Sequence, residues 1–467
     1  MTERLSSPEN NQREDYWWRT GTQKGVMEYL GSSAASWDQM SDIQHEFLAF
    51  GNIPKLNRTN KNSPFTIIEP GQFPDFLRDY QSQVELHASL WQKDSDVRPG
   101  YPSRVILVWD IDLFDKTYRN RSVDDPEVAF SELEPVYQLM RQALISYNIP
   151  HIAITSGRGY NFVTQIPAVS PVMDDLINLS GPLEPTVLQK QAHPNPSLKR
   201  TKPIPPITER AHLAAGRLEQ YLFNRVIRAA RRQSKIPVEI SDKGERGISF
   251  DNTAMVYPIE NRIIGALGTP YFMKPRQAGA WSGRTIIRIP RAGSDFELSL
   301  DEVIQARSDY GLASDLLDDA DCKIPDGSLG LGQLIKDYLG SDLRSLHQAL
   351  DSSFGDPPES FEITYRNYDS IAKQTAHPER IWQLINQAND ELLKPDNLDF
   401  FIWEIFKAWG GSPEKPDVAP HVAGLIRAIY EDGRLLWGYR WYRQLDALRY
   451  ARSWVALILG QAYELEA

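Results

Sequence analysis

The sequence predicts an α+β fold followed by an α-helical C-terminal region, on three observations. Residues 105–115 begin as an apolar, β-branched run that is typical of a buried strand. Residues 126–147 repeat apolar side chains at helical spacing, and residues 149–167 have the pattern of a strand, a glycine-rich turn and a second strand. From about residue 299 onward the pattern is helical. A strand, a helix and a further strand in this order indicate an α/β or α+β sheet.

The segments before the central strand also alternate between helix and strand patterns. Residues 1–25 are polar and are predicted to be flexible. A helical pattern then runs from residue 26 towards a possible strand at 44–51. Three shorter candidates follow, a strand, a helix and a strand, at residues 64–68, 74–83 and 84–91. The folded part of the chain is therefore expected to begin near residue 26.

The segments after the second strand continue the mixed pattern. A proline- and lysine-rich connection at 193–206 leads to a long predicted helix at 208–233. The basic end of this helix indicates either pairing with the helix dipole or contact with phosphate. Residues 239–250 lead to Asp251, and a hairpin-like segment is predicted at 284–291.

The composition limits the classes of protein to consider. The 467 residues, 41% of them apolar and 24% charged, predict a large core and about two or three domains, divided as 1–25, 26–298 and 299–467. No apolar stretch reaches the roughly 18 residues of a membrane helix and no apolar signal region occurs, so we expect a cytoplasmic protein. The single cysteine, Cys322, excludes an internal disulfide and a cysteine-rich metal site. The net charge of −11 argues against general nucleic-acid coating but leaves room for a local basic groove.

Two carboxylates end the central strand. Asp110 and Asp112 are separated by one residue, so their side chains point to the same face of the strand and repel each other. A counter-charge is needed there, and a hard divalent cation with oxygen ligands is the usual one. The alternative interpretation is a strand end capped by two solvated acids.

A turn of Ser156, Gly157, Arg158 and Gly159 joins the two strands that follow. Its backbone N–H groups and the Ser156 hydroxyl can surround phosphate oxygens, and Arg158 can pair with them. The alternative interpretation is an ordinary turn without a ligand.

A third acid, Asp251, ends a later apolar segment. On its own it would most often be a surface carboxylate. Together with Asp110 and Asp112 it would complete a three-carboxylate site for two Mg²⁺ or Mn²⁺ ions. Such a pair of ions lowers the pKa of an attacking 3′-hydroxyl and stabilises a leaving pyrophosphate.

In this order and spacing the three motifs resemble those of the archaeo-eukaryotic primase superfamily. That family includes the primase-polymerases and the polymerase domain of bacterial end-joining ligases. Residues 105–112 match its first motif, an apolar strand ending in Asp-x-Asp. Residues 156–161 resemble its Ser-Gly-x-Gly-x-His motif, and residues 251–274 resemble its third, an acid followed by a turn and a basic residue. The resemblance covers roughly residues 25–295.

The resemblance implies a DNA primase or polymerase whose catalytic domain packs an αβ module against an RRM-like module, with the active site between them. It implies template-directed nucleotidyl transfer from NTPs or dNTPs on single-stranded DNA, with Mg²⁺ or Mn²⁺ as cofactor. Asp110 and Asp112 would hold both ions and Asp251 the catalytic one. The residues implied to bind the nucleotide are Ser156, Gly157, Arg158, Gly159, Asn161 and Lys274. No Gly-x-x-x-x-Gly-Lys-Ser/Thr run occurs, so unwinding would need a separate helicase or another replication or repair partner.

The chain departs from the family pattern where phosphate would bind. Asn161 takes the place of the motif's histidine and can donate a hydrogen bond, but it carries no charge. Gly265 and Tyr271 stand near the places of an arginine and a histidine. The alternative function is therefore a catalytically weak or inactive primase-like protein that binds nucleic acid or a partner. A metal-dependent nuclease or phosphodiesterase is a further alternative, although it has less need of a triphosphate site.

The C-terminal region is helical and rich in tryptophan, above all at residues 400–409 and 435–443. These aromatic side chains are expected in the core of a helical bundle. The alternative is a platform on which template bases stack beside nearby arginines. By analogy with primase-polymerases, residues 299–467 would form an accessory domain.

Overall fold

The structure is a computed structural model, and it describes residues 15–34, 36–40, 42–51, 66–80, 84–115, 117–118, 121–183, 188, 192, 203–240, 246–251, 259–272, 285–341, 343–344 and 347–348. Lys274 and the aromatic runs at 400–409 and 435–443 lie outside these ranges, so the sequence-based expectations for them stay predictions.

Helices and strands alternate along the described ranges. The helices are α1 (Thr20–Leu30), α2 (Phe73–Tyr80), α3 (Arg121–Asp124), α4 (Pro126–Ser146), α5 (Val172–Asn178), α6 (Pro206–Gln233), α7 (Leu300–Ser308), α8 (Tyr310–Asp319) and α9 (Ser328–Leu339). The strands are β1 (Leu48–Gly51), β2 (Thr66–Ile68), β3 (Glu85–Ser89), β4 (Arg104–Asp115), β5 (Ile152–Thr155), β6 (Gly159–Pro167), β7 (Val238–Ile240), β8 (Arg246–Asp251), β9 (Ile263–Gly265), β10 (Pro270–Phe272), β11 (Thr285–Ile287) and β12 (Pro290–Ala292).

The largest sheet is built around β4, as the apolar run in the sequence predicts. Its strand order is β12-β5-β6-β4-β8-β7, and its neighbours are antiparallel except for β7 and β8. β4 pairs with β6 along residues 104–112 and with β8 along residues 110–115. Every position of β4 is buried except the half-buried Asp110.

Helices α4 and α6 cover one face of this sheet, and the aspartates face the other way. Tyr137 of α4 stacks on Phe162 of β6 with ring centroids 5.4 Å apart, and Phe223 of α6 stacks on Phe250 of β8 at 4.7 Å. Neighbouring side chains on a strand point to opposite faces, so Asp251, which follows Phe250, points away from these helices. The helices therefore bury the apolar face and leave the acidic face for chemistry.

A second, four-stranded sheet has the order β2-β1-β3-β9, and residues 288–289 join it to the first. Arg288 donates from Nη2 to Oε1 of Glu85 on β3 at 3.1 Å. The next residue, Ile289, accepts a hydrogen bond from the backbone N–H of Thr155 on β5 at 2.9 Å. The antiparallel pair of strands β10 and β11 precedes this junction.

The helices after residue 299 pack directly on the elements before it. Helix α8 lies against α1, and α7 lies against β11. Cys322, between α8 and α9, is fully buried in the main hydrophobic core. The first helices after the predicted boundary at residue 299 therefore already contact elements that precede it.

The N-terminal helix begins and ends earlier than its sequence pattern predicts. It runs from Thr20 to Leu30, because Gly31 takes a left-handed conformation (φ 82°) that ends it. Before the helix, Tyr16 and Trp17 are fully buried, and the Tyr16 hydroxyl donates to the carbonyl of Gly268 at 2.7 Å. The described part of the segment predicted as flexible is therefore packed.

The predicted mixture of helices and mostly antiparallel sheets is confirmed for the described residues. The finer expectation of an αβ module, an RRM-like module and a helical C-terminal domain stays a prediction. Within the described ranges, none of the helices combines the length and the apolar character needed to cross a bilayer.

Candidate active site

Strand pairing brings the three predicted aspartates together. In the register of β4 and β8, Asp251 stands opposite Asp110, and Ser249 stands opposite Asp112. Paired residues of adjacent strands share a face, so all three carboxylates project from the same side of the sheet. Their ligand oxygens lie within 4.8 Å of one another. The grouping proposed from sequence is thus present in space.

The three carboxylates repel one another, and burial strengthens the repulsion. Oδ1 of Asp110 is buried and has no hydrogen-bond partner among the described residues. Burial raises the pKa of Asp110 well above its usual value, and the charges of Asp112 and Asp251 raise it further. A cation bound between these groups would remove the repulsion. Because all the donor atoms are carboxylate oxygens, they fit Mg²⁺ or Mn²⁺ better than a softer metal.

The Ser-Gly-Arg-Gly turn is tied to Asp112 of this cluster. Ser156 donates from Oγ to Oδ1 of Asp112 at 3.0 Å, and Arg158 donates from Nη2 to Oδ2 at 2.6 Å. The backbone N–H groups of Arg158 and Gly159 donate to Ser156 Oγ, at 3.1 and 2.7 Å. These two N–H groups, predicted from sequence to face a phosphate, therefore hold the turn together. The charge of Asp112 raises the pKa of Arg158, so this guanidinium stays protonated.

Both glycines of the turn are needed because other atoms approach them closely. A Cβ at Gly159 would lie 1.8 Å from the carbonyl oxygen of Ile111, and a Cβ at Gly157 would lie 2.6 Å from the ring of Tyr271. Gly159 lets β6 pair closely with β4, and Gly157 lets the Tyr271 ring pack flat on the turn. Tyr271 thus lies beside the site.

Arg307 of α7 supports the turn from behind, and sequence analysis missed it. It is almost fully buried, and its Nη2 donates to the carbonyl oxygens of Ser156 and Gly157, each at 3.1 Å. Its guanidinium carbon lies 4.1 Å from the ring centroid of Phe130, a cation–π contact. Burial lowers the pKa of Arg307 to about 10. No local motif marks this residue, because its contacts lie far away in sequence.

Arg288 occupies the space beside Gly265 that a larger side chain would need. A Cβ at Gly265 would lie 2.3 Å from the guanidinium carbon of Arg288. Arg288 is buried, and among the described residues its Nε and Nη1 atoms have no hydrogen-bond partner. Its charge acts on Asp110 and lowers the pKa of that carboxyl group, against the larger effect of burial. Arg288 therefore supplies a positive charge next to Gly265 that acts on Asp110.

Asn161 stands opposite Asp110 in the register of β4 and β6, on the face that carries the aspartates. It is buried and uncharged. Asn161 therefore lies next to the aspartate cluster. Lys274 lies outside the described residues.

Comparisons with known proteins add little to this geometry. No protein-family model matches the chain, and no curated protein matches it. Among solved structures, the chain is similar to the polymerase domain of ligase D from Mycobacterium tuberculosis, determined in complex with DNA. The two are 14% identical, the match covers 67% of this chain and 93% of that one, and the TM-score is 0.32. A likeness of this size does not establish a shared fold, so only the site geometry bears on function.

Proposed function

We propose that this chain is a template-directed nucleotidyltransferase, a DNA primase or polymerase that forms phosphodiester bonds from NTPs or dNTPs. The observation that supports this most is the cluster of Asp110, Asp112 and Asp251, whose ligand oxygens lie within 4.8 Å of one another. A turn with a cationic side chain lies beside them. Single-stranded DNA would be the template, and a separate helicase or repair protein would supply it.

The three aspartates would hold Mg²⁺ or Mn²⁺, with Asp110 and Asp112 shared between two ions and Asp251 on the catalytic one. When bound, such a pair lowers the pKa of an attacking 3′-hydroxyl and balances the charge on the leaving pyrophosphate. The protein itself would contribute by holding the three carboxylates in position for the ions. Strands β4 and β8 hold the carboxylates in fixed register, so little reorganisation accompanies binding.

Arg158 would change partners when substrate binds. It now pairs with Asp112, and neutralisation of that carboxylate would free the guanidinium for the phosphates of a nucleotide. Arg288, whose Nε and Nη1 atoms are unpartnered among the described residues, would add a second cationic contact. The remaining proposed nucleotide contacts are Ser156, Gly157, Gly159, Asn161 and Lys274.

Incorporation of labelled NTPs and dNTPs on single-stranded templates tests this proposal, with and without a primer, in Mg²⁺ and in Mn²⁺. We expect product from the wild type and a loss of about a thousandfold in the Asp110→Asn/Asp112→Asn double variant. That loss corresponds to the several kcal/mol, at about 1.4 kcal/mol per tenfold, that bound cations contribute to such a transition state. The no-primer reaction separates a primase from a polymerase that only extends.

A matched control replaces an aspartate outside the site. Asp174 pairs with Arg98 at 2.6 Å on the surface, and Asp174→Asn should leave incorporation unchanged. Equal product from the wild type and the double variant would contradict the proposal. Cleavage of labelled oligonucleotides without any triphosphate would instead indicate a nuclease. Folded protein that forms no product would indicate the primase-like binding protein.

A further inference from the structure

Arg307, on helix α7, holds two consecutive carbonyl groups of the Ser-Gly-Arg-Gly turn. Its Nη2 atom lies 3.1 Å from the carbonyl oxygen of Ser156 and 3.1 Å from that of Gly157. Its Nη1 atom donates to the carbonyl of Ser122 in α3 at 3.4 Å. One guanidinium therefore fixes both peptide groups that flank Gly157 and ties them to a third segment of the chain.

These two peptide groups set the direction of the N–H groups in the turn. A trans peptide is planar, so its N–H points opposite to its C=O. Because the carbonyls of Ser156 and Gly157 point to Arg307, the N–H groups of Gly157 and Arg158 point away from it. The N–H of Arg158 donates within the turn, to Ser156 Oγ at 3.1 Å. That of Gly157 donates to no backbone carbonyl in the part of the chain that the structure describes, so the turn does not use it internally.

The positive charge of Arg307 is buried among neutral groups. The side chain is almost fully buried, and its hydrogen-bond partners among the described residues are backbone carbonyls. Arg291, another buried arginine, pairs instead with the carboxylate of Glu134 at 2.9 Å. A buried charge is costly unless an opposite charge compensates it. An anion bound to the turn would compensate the charge of Arg307.

The turn that Arg307 holds also carries Arg158 to the aspartate cluster. Nη2 of Arg158 lies 2.6 Å from Oδ2 of Asp112, and Oγ of Ser156 lies 3.0 Å from Oδ1. A shift of the turn would move the Arg158 guanidinium and the Gly157 N–H together. Guanidinium and backbone N–H groups are the donors that commonly bind phosphate. Arg307 thus fixes two phosphate donors from behind the turn.

We propose that Arg307 is a positioning residue of a phosphate site formed by this turn. It holds the peptide groups on either side of Gly157 so that the Gly157 N–H and the Arg158 guanidinium bind one phosphate of the nucleotide together. Its buried charge adds to the attraction between the turn and that anion. Helix α7, which follows the predicted domain boundary at residue 299, is then part of the nucleotide site. The proposal rests on nucleotide binding in the proposed function and not on polymerisation.

Calorimetric titration of the full chain with ATP and with dATP, in Mg²⁺ and without DNA, tests this role. A hydrogen bond to a charged group corresponds to about 10–100-fold in affinity, and we expect a loss in this range for Arg307→Met. The Mn²⁺ affinity without nucleotide should not fall, because Arg307 donates to the turn and not to the aspartates. Triphosphate affinities within about twofold of the wild type would overturn the proposal, as would an equal loss of Mn²⁺ affinity.

Arg291→Met is the matched control, because it also removes a buried guanidinium that lies against an aromatic ring. The guanidinium carbon of Arg291 lies 4.9 Å from the ring centroid of Tyr137, whereas that of Arg307 lies 4.1 Å from the ring centroid of Phe130. Both variants should melt at a lower temperature than the wild type, and only Arg307→Met should lose triphosphate affinity. An equal loss in both would show that lower stability is the cause and would overturn the proposal.

If Arg307→Met does not melt cooperatively, Arg307→Lys replaces it. Lysine keeps the charge but has one nitrogen, so it cannot hold the turn and the carbonyl of Ser122 in the fixed plane of a guanidinium. Weaker triphosphate binding is again expected, and wild-type affinity of Arg307→Lys would overturn the proposal.

The two proposals can fail separately. Weakened triphosphate binding in Arg307→Met, in a chain that forms no product, would support the role of Arg307 and refute polymerisation. Unchanged triphosphate binding in Arg307→Met, in a chain whose polymerisation needs Asp110 and Asp112, would refute the role of Arg307 alone. A wild-type chain that binds neither triphosphate would refute both.

Discussion

Removal of Arg158 should strengthen metal binding in the absence of nucleotide. Arg158 donates to Oδ2 of Asp112 at 2.6 Å, so it competes directly with any cation for that oxygen. Its positive charge also repels an incoming cation. Arg158→Ala removes both effects, and Asp112 keeps its hydrogen bond from Ser156 at 3.0 Å.

The exposure of the ion pair sets the expected magnitude. A charge-assisted hydrogen bond contributes about 1.5–3 kcal/mol. The Arg158 side chain is 42% exposed, whereas that of Asp112 is 11% exposed. Solvent screening therefore reduces the contribution to about 1–2 kcal/mol. At about 1.4 kcal/mol per tenfold, the variant should bind Mn²⁺ roughly 5–30-fold more tightly than the wild type.

Calorimetric titration with Mn²⁺ alone, and then with a nucleoside triphosphate, measures both consequences. The variant should bind Mn²⁺ more tightly but the triphosphate more weakly, because the freed guanidinium is no longer present to pair with phosphate. Arg98→Ala is the matched control, since Arg98 pairs with Asp174 at the same distance of 2.6 Å outside the site. Equal or weaker Mn²⁺ binding by Arg158→Ala would refute the competition between arginine and cation.

Two further predictions concern pH and packing. The raised pKa of Asp110 means that the folded chain binds more protons than the unfolded chain above the ordinary aspartate value of 3.8, so without metal the free energy of unfolding should fall as pH rises. Mn²⁺ competes with these protons, and the rise in melting temperature that it causes should grow from about pH 5 to about pH 8; a constant rise would contradict this. Gly157→Ala places a Cβ 2.6 Å from the ring of Tyr271 and should cost about 1–3 kcal/mol in urea unfolding. Adding Tyr271→Ala should cancel this overpacking effect, and additive losses would show that the clash is not the cause.

Local sequence was sufficient to predict the centre of the fold. The β-branched run before Asp110 specifies a buried strand, and the period of a strand places Asp110 and Asp112 on one face. The position of Asp251 depended on a strand pairing that no local pattern encodes. The chemistry of a three-carboxylate site and the resemblance to a family grouped it with the other two, and the register of β8 agrees with that grouping.

Residues that act through distant contacts could not be found from sequence. Arg307 reaches the turn from a helix beyond the predicted domain boundary, and its neighbours in sequence are those of an ordinary amphipathic helix. The burial of its guanidinium is a property of packing, and no local pattern encodes it.

The histidine-to-asparagine departure at Asn161 does not by itself argue for an inactive site. A protonated histidine opposite Asp110 would place a positive charge beside the cluster, and Asn161 supplies none. Arg288 already acts on Asp110 from another segment, and its Nε and Nη1 atoms have no hydrogen-bond partner among the described residues. An arginine keeps its charge at every physiological pH, whereas a histidine does not. Arg288 therefore places a positively charged side chain next to Asp110. Asn161 cannot gain and lose a proton near neutral pH, as a histidine in its place could.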